Sequence, residues 1–337
     1  MTLKPFKNFF LIVWTAAFLI LGTLPANVSS DVSTAETYEP ASSPLSFKET
    51  WGYLMQGEEY FVHDDMPFSD ILYFSARVGD NGRIPTDIRP PDLSSRLNRT
   101  PKFHIVISMI GSKMLTNFML RKDLPFREQL IKDIASYAEY FDGIQLDFES
   151  VRYEDRQLYV SLLEDLRSRL PKEILFSVAV PARWWENLNA YEYPKIAEHV
   201  DRVMIMAYDE HWRTGEPGPI ASLPWCEKIL HYAQKRIPAD KLIMGLPLYG
   251  RAWQTETFAR ALKHPQTLEL CENQTCTIKL TETGDPYFEY TETARLKVHF
   301  EDQQSLANKL KFYQENRVKG VAFWRIGQEP AAIWDRF

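Results

Sequence analysis

The amino-acid sequence predicts one α/β domain, a (β/α)8 barrel with a small α+β or β-rich subdomain inserted between its seventh and eighth strands. Three observations carry this. Eight short apolar runs recur from residue 49 onward, several of them apolar almost throughout, as parallel strands covered on both faces require. Amphipathic helical patterns alternate with the runs, which points to βα units and away from an antiparallel sandwich. The repeat fails over one long stretch after the seventh run, too long for a plain βα loop.

In chain order the strand runs are 52–55, 71–76, 103–110, 143–148, 175–180, 202–207, 242–248 and 321–324. The helical patterns are 127–140, 155–170, 193–199, 224–236 and 302–316. Residues 80–101, rich in Pro, Asp and Arg, read as a loop or a degraded helix. Residues 252–299 hold a Thr/Glu/Tyr-rich stretch with no long helix and form the insertion. The barrel is thus assigned to 49–337. Lys4 and Lys7 followed by the apolar run 9–24 and small residues near Ala26 make 1–26 a signal peptide or signal anchor. That run is shorter than the roughly 20 residues of a membrane span. Residues 27–48, rich in Ser, Thr, Ala and Pro, read as a linker. The expected location is outside the cytoplasm: secreted, periplasmic or anchored at the outer face of the membrane.

Of the 337 residues, 45% are hydrophobic and 25% charged, which excludes a disordered chain, and a net charge of −6 argues against a nucleic-acid partner. There are three cysteines and no CxxC pair. Cys271 and Cys276 lie close enough for a small disulfide in an exported protein. Cys226 sits in an apolar helical pattern with Trp225, Ile229, Leu230 and Ala233, as a buried inert thiol would. No HExxH, GxSxG or phosphate-loop pattern is present, so neither metal nor cofactor is expected.

Catalytic groups of a parallel barrel gather at the C-terminal ends of its strands. The fourth run gives the strongest signal, Asp142-Gly143-Ile144-Gln145-Leu146-Asp147-Phe148-Glu149. Alternation places Gln145, Asp147 and Glu149 on one face and Ile144, Leu146 and Phe148 on the other. The apolar set belongs against the helices, so the polar set points inward. Two carboxylates about 7 Å apart at Cα in a desolvated mouth cannot both ionise freely, so one holds a proton, as a general acid must. The sixth run ends Met206-Ala207-Tyr208-Asp209 and the eighth ends at Trp324, which is either core filling or a stacking platform. Arg251 follows the seventh run. Trp184, Trp185, Trp212 and Trp253 also fall near strand ends, and aromatic rims with polar groups suit a saccharide.

With these motifs in this order, the chain resembles glycoside hydrolase family 18, the chitinase-type barrels. The fourth run resembles that family's DGxDxDxE motif, Met206-Ala207-Tyr208-Asp209 its MxYD motif, and Val321-Ala322-Phe323-Trp324 its strand-eight Trp. The runs Gly-Leu-Pro-Leu-Tyr-Gly-Arg and Phe-Trp-Arg-Ile-Gly-Gln-Glu are most similar to the branch of bacterial spore-cortex peptidoglycan hydrolases. The resemblance implies retaining, substrate-assisted hydrolysis of β-linked N-acetylglucosamine-containing glycans, chitin oligomers or peptidoglycan. Glu149 would be the general acid, Asp147 would orient the 2-acetamido group and Tyr208 would hydrogen-bond its carbonyl. Gln145, Met206, Asp209, Arg251, Trp324, Trp184 and Trp212 would bind substrate, and Asp142 and Gly143 would shape the motif. The partner implied is an N-acetylated polysaccharide or oligosaccharide, bound by a monomer that meets a membrane only through an N-terminal anchor. Gln145 departs from the family, which carries a third carboxylate there, so no proton can pass from it to Asp147, although its amide could still hydrogen-bond Asp147. The alternative class is a non-hydrolytic carbohydrate-binding barrel.

Overall fold

The structure, a computed structural model, describes residues 44–255, 258–291 and 295–337. The expected signal or anchor, and the linker as far as residue 43, lie outside the described residues. The last linker residues belong to the domain: Leu45 is buried and its N–H donates to the Arg336 carbonyl at 2.6 Å.

Strands β1 (Glu49–Met55), β2 (Asp70–Arg77), β3 (Lys102–Met109), β4 (Gly143–Phe148), β5 (Leu175–Pro181), β6 (Arg202–Met206) and β7 (Leu242–Pro247) are parallel. An inserted antiparallel sheet follows, with β8 (Tyr249–Thr255), β9 (Phe258–Lys263), β10 (Lys279–Leu280), β11 (Pro286–Thr291) and β12 (Arg295–His299) in the order β10-β11-β12-β8-β9. Strand β13 (Gly320–Trp324) then pairs with both β7 and β1 and closes the barrel.

The period-two pattern decides what fills it. Trp51 and Tyr53, Leu72, Val106, Ala179, Met204, Ile243 and Ala322, one or two from every barrel strand but β4, form an inner cluster. The alternate residues, among them Ile144, Leu146 and Phe148, pack outward against the helices. This is the layered interior of a closed eight-strand barrel.

The helices are α1 (Lys113–Leu120), α2 (Pro125–Ser136), α3 (Arg156–Arg169), α4 (Tyr193–His199), α5 (Leu223–Gln234), α6 (His264–Asn273) and α7 (Gln303–Glu315). Residues 78–101 carry turns only, so the loop reading of 80–101 holds and its degraded-helix alternative does not. Two helices escape the sequence pattern. One is α1, a short helix started by Ser112, whose hydroxyl accepts from the Leu115 N–H at 3.2 Å. The other is α6, ten residues inside the insertion. Helix α2 begins at Pro125, a residue that suits the first helical position because the N–H it lacks would be unpaired there anyway.

The insertion has its own core of Ala252, Leu262, Cys271, Phe288, Val298 and Phe300, and the Cys271–Cys276 disulfide, with Cα atoms 5.1 Å apart, closes the end of α6. Its sheet starts at Tyr249, earlier than the sequence breakpoint at 252, because only Leu248 separates β7 from β8. A buried ion cluster ties it to the barrel: Lys309 on α7 donates to Glu301 at 2.8 Å and to Asp285 at 3.3 Å. Cys226 is buried on α5, and burial pushes its thiol up to about 12, leaving it unreactive.

Candidate active site

The site is built on the C-terminal end of β4. Gly143 opens the strand against the His104 ring, which would lie 2.7 Å from any added Cβ, so only glycine fits. Asp142 ties this end to β3, its Oδ2 accepting from the Phe103 N–H at 2.8 Å. Asp147 sits at the inner end of the strand, 5% exposed, and its Oδ1 is buried with no hydrogen-bond partner among the described residues. Glu149 follows one residue beyond the strand and is exposed to the cleft. Its backbone is fixed on both sides. The Tyr191 hydroxyl donates to the Phe148 carbonyl, the Glu149 N–H donates to the Met109 carbonyl at 3.0 Å, and the Ser150 hydroxyl accepts from the Gly111 N–H at 2.8 Å.

Around these carboxylates opens a cleft of ≈ 440 Å³. Met204, Met206 and Tyr208 line it from β6 and the loop after it, and Trp324 from β13. The Trp324 ring stands edge-on to Tyr53 at 5.1 Å and to Phe74 at 4.9 Å between centroids, which holds its plane. Gly245 makes room for Tyr208: a Cβ there would meet the Ile205 carbonyl at 2.7 Å and the Tyr208 ring at 3.0 Å. Asp209 has a left-handed backbone (φ 62°) and receives two donors on Oδ1, the Tyr249 hydroxyl and the Arg251 guanidinium at 2.6 Å. Both donors come from β8, so the insertion supplies one wall of the cleft. Arg325 lines it too, ion-paired to Glu58.

Residues 71–329 match the family model for glycosyl hydrolases family 18. The chain belongs to this family. It is therefore a glycosidase by descent, and it is similar to the uncharacterized glycosylase YvbX of Bacillus subtilis, 30% identical over 67% of each chain. It is also similar to the cortical fragment-lytic enzyme of Bacillus anthracis, 29% identical over 80% of this chain and 67% of that one. Among solved structures it resembles the Bacillus cereus spore cortex-lytic enzyme SleL, with a TM-score of 0.76 and 25% identity over 89% of this chain and 75% of that one. With the putative sporulation-specific glycosylase YdhD of Bacillus subtilis the match spans only 49% of the relative's length.

In this family 18 barrel the carboxyl electrostatics follow from burial. Asp147 is pushed up to about 8, first by desolvation and then by the charge of Glu149. Glu149 is raised as well, by desolvation and by the nearby charge of Asp209. At neutral pH the pair therefore carries a proton, held in the resting state on Asp147. Tyr208 is raised well above its ordinary value by burial and stays a hydroxyl donor. Burial acts in the same direction on Tyr53.

Four expectations need correction. Gln145 does not hydrogen-bond Asp147 and does not reach the cleft. It is fully buried, accepts from the Tyr53 hydroxyl at 2.5 Å and donates to Ser177 at 3.3 Å, because the adjacent barrel strands offer closer partners. Trp184 and Trp212 are exposed on the loops after β5 and β6 but do not line the cleft. Trp184 packs on Trp185 and Trp225, and the Trp212 indole N–H donates to Thr214 at 3.0 Å. Trp253 is buried beneath the insertion with Ile220, Tyr249 and Ala259. Conversely, the sequence reading missed Tyr53, Tyr249, Arg325 and Gln328 as lining residues. Tyr53 carried a usable signal, since it shares the inward face of β1 with Trp51.

Proposed function

We propose that this glycosidase hydrolyses β-linked N-acetylglucosamine-containing glycans, chitin oligomers or peptidoglycan, with retention of configuration and participation of the substrate's own 2-acetamido group. Glu149 gives its proton to the glycosidic oxygen as the bond to the anomeric carbon breaks. The acetamido carbonyl oxygen closes on that carbon to form an oxazolinium, and the leaving sugar departs as an alcohol. Glu149, now a carboxylate, takes a proton from water as the water opens the ring. The proton that Asp147 holds at rest passes to Glu149 ahead of this step, and the ionised Asp147 accepts the acetamido N–H and steadies the positive ring. Tyr208 donates to the acetamido oxygen, and Trp324 lies against the apolar face of the sugar.

The observation that carries this reading is Asp147: a carboxyl buried in the barrel mouth with an unpartnered oxygen, two residues along one strand from the exposed Glu149. Such a group is costly to retain unless a ligand or a mobile proton uses it. The likeness to spore cortex-lytic enzymes favours a cell-wall glycan, and the N-terminal signal-like segment favours action outside the cytoplasm.

The test is Glu149→Gln against N-acetylglucosamine oligomers and peptidoglycan, with product masses and reducing ends measured. Loss of a general acid lowers turnover by roughly 10²–10⁴-fold, while oligomer binding survives. Undiminished turnover in the variant would remove Glu149 from the acid role, and a wild-type chain that binds the oligomers without releasing reducing ends would make it a carbohydrate-binding protein instead.

A further inference from the structure

A second cavity of ≈ 390 Å³ opens beside the catalytic cleft, over the ends of β1, β2 and β3. The two share Phe74 and Ile110 as lining residues, so they adjoin. The lining of this cavity is chemically distinct. It has two apposed hydroxyls, Ser75 and Ser108, 2.8 Å apart, and Gln56, whose amide donates to the Ser75 carbonyl at 3.0 Å. It also has Arg77, exposed at the end of β2.

Three guanidinium groups line the two cavities. Arg251 is neutralised by Asp209 and Arg325 by Glu58. Arg77 has no ion-pair or hydrogen-bond partner among the described residues. It stands unpaired next to a cleft that holds Asp147, Glu149 and Asp209, in a chain of net charge −6. With Asp147 protonated and Asp209 paired to Arg251, the Glu149 carboxylate is the charge left to repel an anion from the reacting subsite. A fixed cation one cavity away attracts one there, and its planar fork of donors suits a carboxylate.

We propose that Arg77 is a specificity-determining residue that reads a carboxylate on the sugar neighbouring the cleaved unit, of the kind borne by a 3-O-lactyl substituent or by a peptide attached to it. This rests on the glycan-hydrolase reading above and narrows its substrate class from neutral chitin-type chains to acidic muramyl-type ones. Ser75, Ser108 and Gln56 then meet the hydroxyls and amide of the same sugar, and Ile110, 44% exposed, meets its apolar face.

The experiment measures equilibrium binding by calorimetry in the Glu149→Gln background, where ligands are not consumed. The ligands are a disaccharide with the free lactyl acid, its methyl ester, its amide with the amine of alanine (alanine carboxylate free) and a neutral N-acetylglucosamine tetramer. A charge-assisted contact at a partly exposed site is worth about tenfold in affinity, so the acid should bind about tenfold tighter than the ester. Adding Arg77→Gln should bring that ratio to about one, and Arg77→Lys should keep part of it. In 1 M salt the ratio should shrink, as screening requires. Preference for the alanine amide over the acid would place the recognised carboxylate on the peptide. Equal binding of acid and ester, or a ratio that survives Arg77→Gln, overturns the proposal. So does an Arg77→Gln loss that falls equally on the neutral tetramer, since that would be a general structural effect. Binding with the expected ratio but no hydrolysis by the wild-type chain would instead sink the hydrolase reading and leave the Arg77 assignment standing.

Discussion

Replacing Asp147 by Asn should stabilise the protein, and by an amount that depends on pH in a defined way. In the unfolded chain an aspartate ionises near its ordinary value of 3.8, whereas in the fold Asp147 is pushed up to about 8 by burial and by Glu149. Between those two pH values the folded state binds one proton more than the unfolded state. Its stability therefore falls as pH rises, by about 1.4 kcal/mol per unit. Below pH 4 both states hold the proton and there is no penalty; above about 8 the penalty is complete. A span of about four units gives a ceiling of ~6 kcal/mol. Part of this is relieved because the ionised carboxylate opens onto the water of the cleft, so about 3 kcal/mol is the expected gain at pH 8. Asparagine keeps the shape and removes the titration. Urea unfolding of wild type and Asp147→Asn at pH 4, 6, 8 and 9 should show curves that coincide near pH 4, diverge to pH 8 and then run parallel, with equal slopes in denaturant. A gap that does not change with pH, or one that closes as pH rises, would refute the assignment of the buried proton to Asp147.

Two further outcomes follow from the same charges. The profile of kcat/KM for an N-acetylglucosamine oligomer should fall on its basic side with a midpoint near 8, because catalysis needs the one proton shared by Asp147 and Glu149; a basic limb near 6 would count against the pair as the proton source. Lys309→Met should destabilise by about 3–5 kcal/mol, since it strands Asp285 and Glu301 without their buried cation. Burial, with Asp285 adding to it, already holds Glu301 near 7 despite Lys309. The loss should therefore be larger at pH 8 than at pH 5 by thermal unfolding, and a loss below about 1 kcal/mol would show the cluster to be dispensable.

The barrel was legible because period and burial coincide. Where a strand is covered on both faces the sequence runs apolar, and a polar residue such as Asp147 or Glu149 then stands out at the strand end. Its inward direction follows from the outward packing of Leu146 and Phe148. The rim was less legible for a matching reason. After a strand ends, no period constrains the chain, so Trp184, Trp212 and Trp253 looked alike in sequence although Trp253 is buried and the other two are exposed. Arg251 was visible as a residue, but its partner Asp209 depended on how β8 leaves β7, a long-range matter that local pattern does not encode. The helix α6 was hidden by polar composition and by the Pro265 at its start.

Gln145 changes what Asp147 can do, and the structure shows why the substitution is tolerated. A carboxylate at 145 would lie in the same barrel layer as Tyr53 and Ser177, fully out of water, and would add a second buried negative charge beside Asp147. The amide satisfies both neighbours without charge, its oxygen accepting from Tyr53 and its nitrogen donating to Ser177. Asp147 then feels one neighbouring charge among the described residues, that of Glu149. With an amide at 145, the proton of the pair can pass outward along β4 to Glu149 but not inward to residue 145. In the mechanism proposed above, ionisation of Asp147 is opposed by burial and favoured by positive charge developing on the sugar, so the fold would couple the two events.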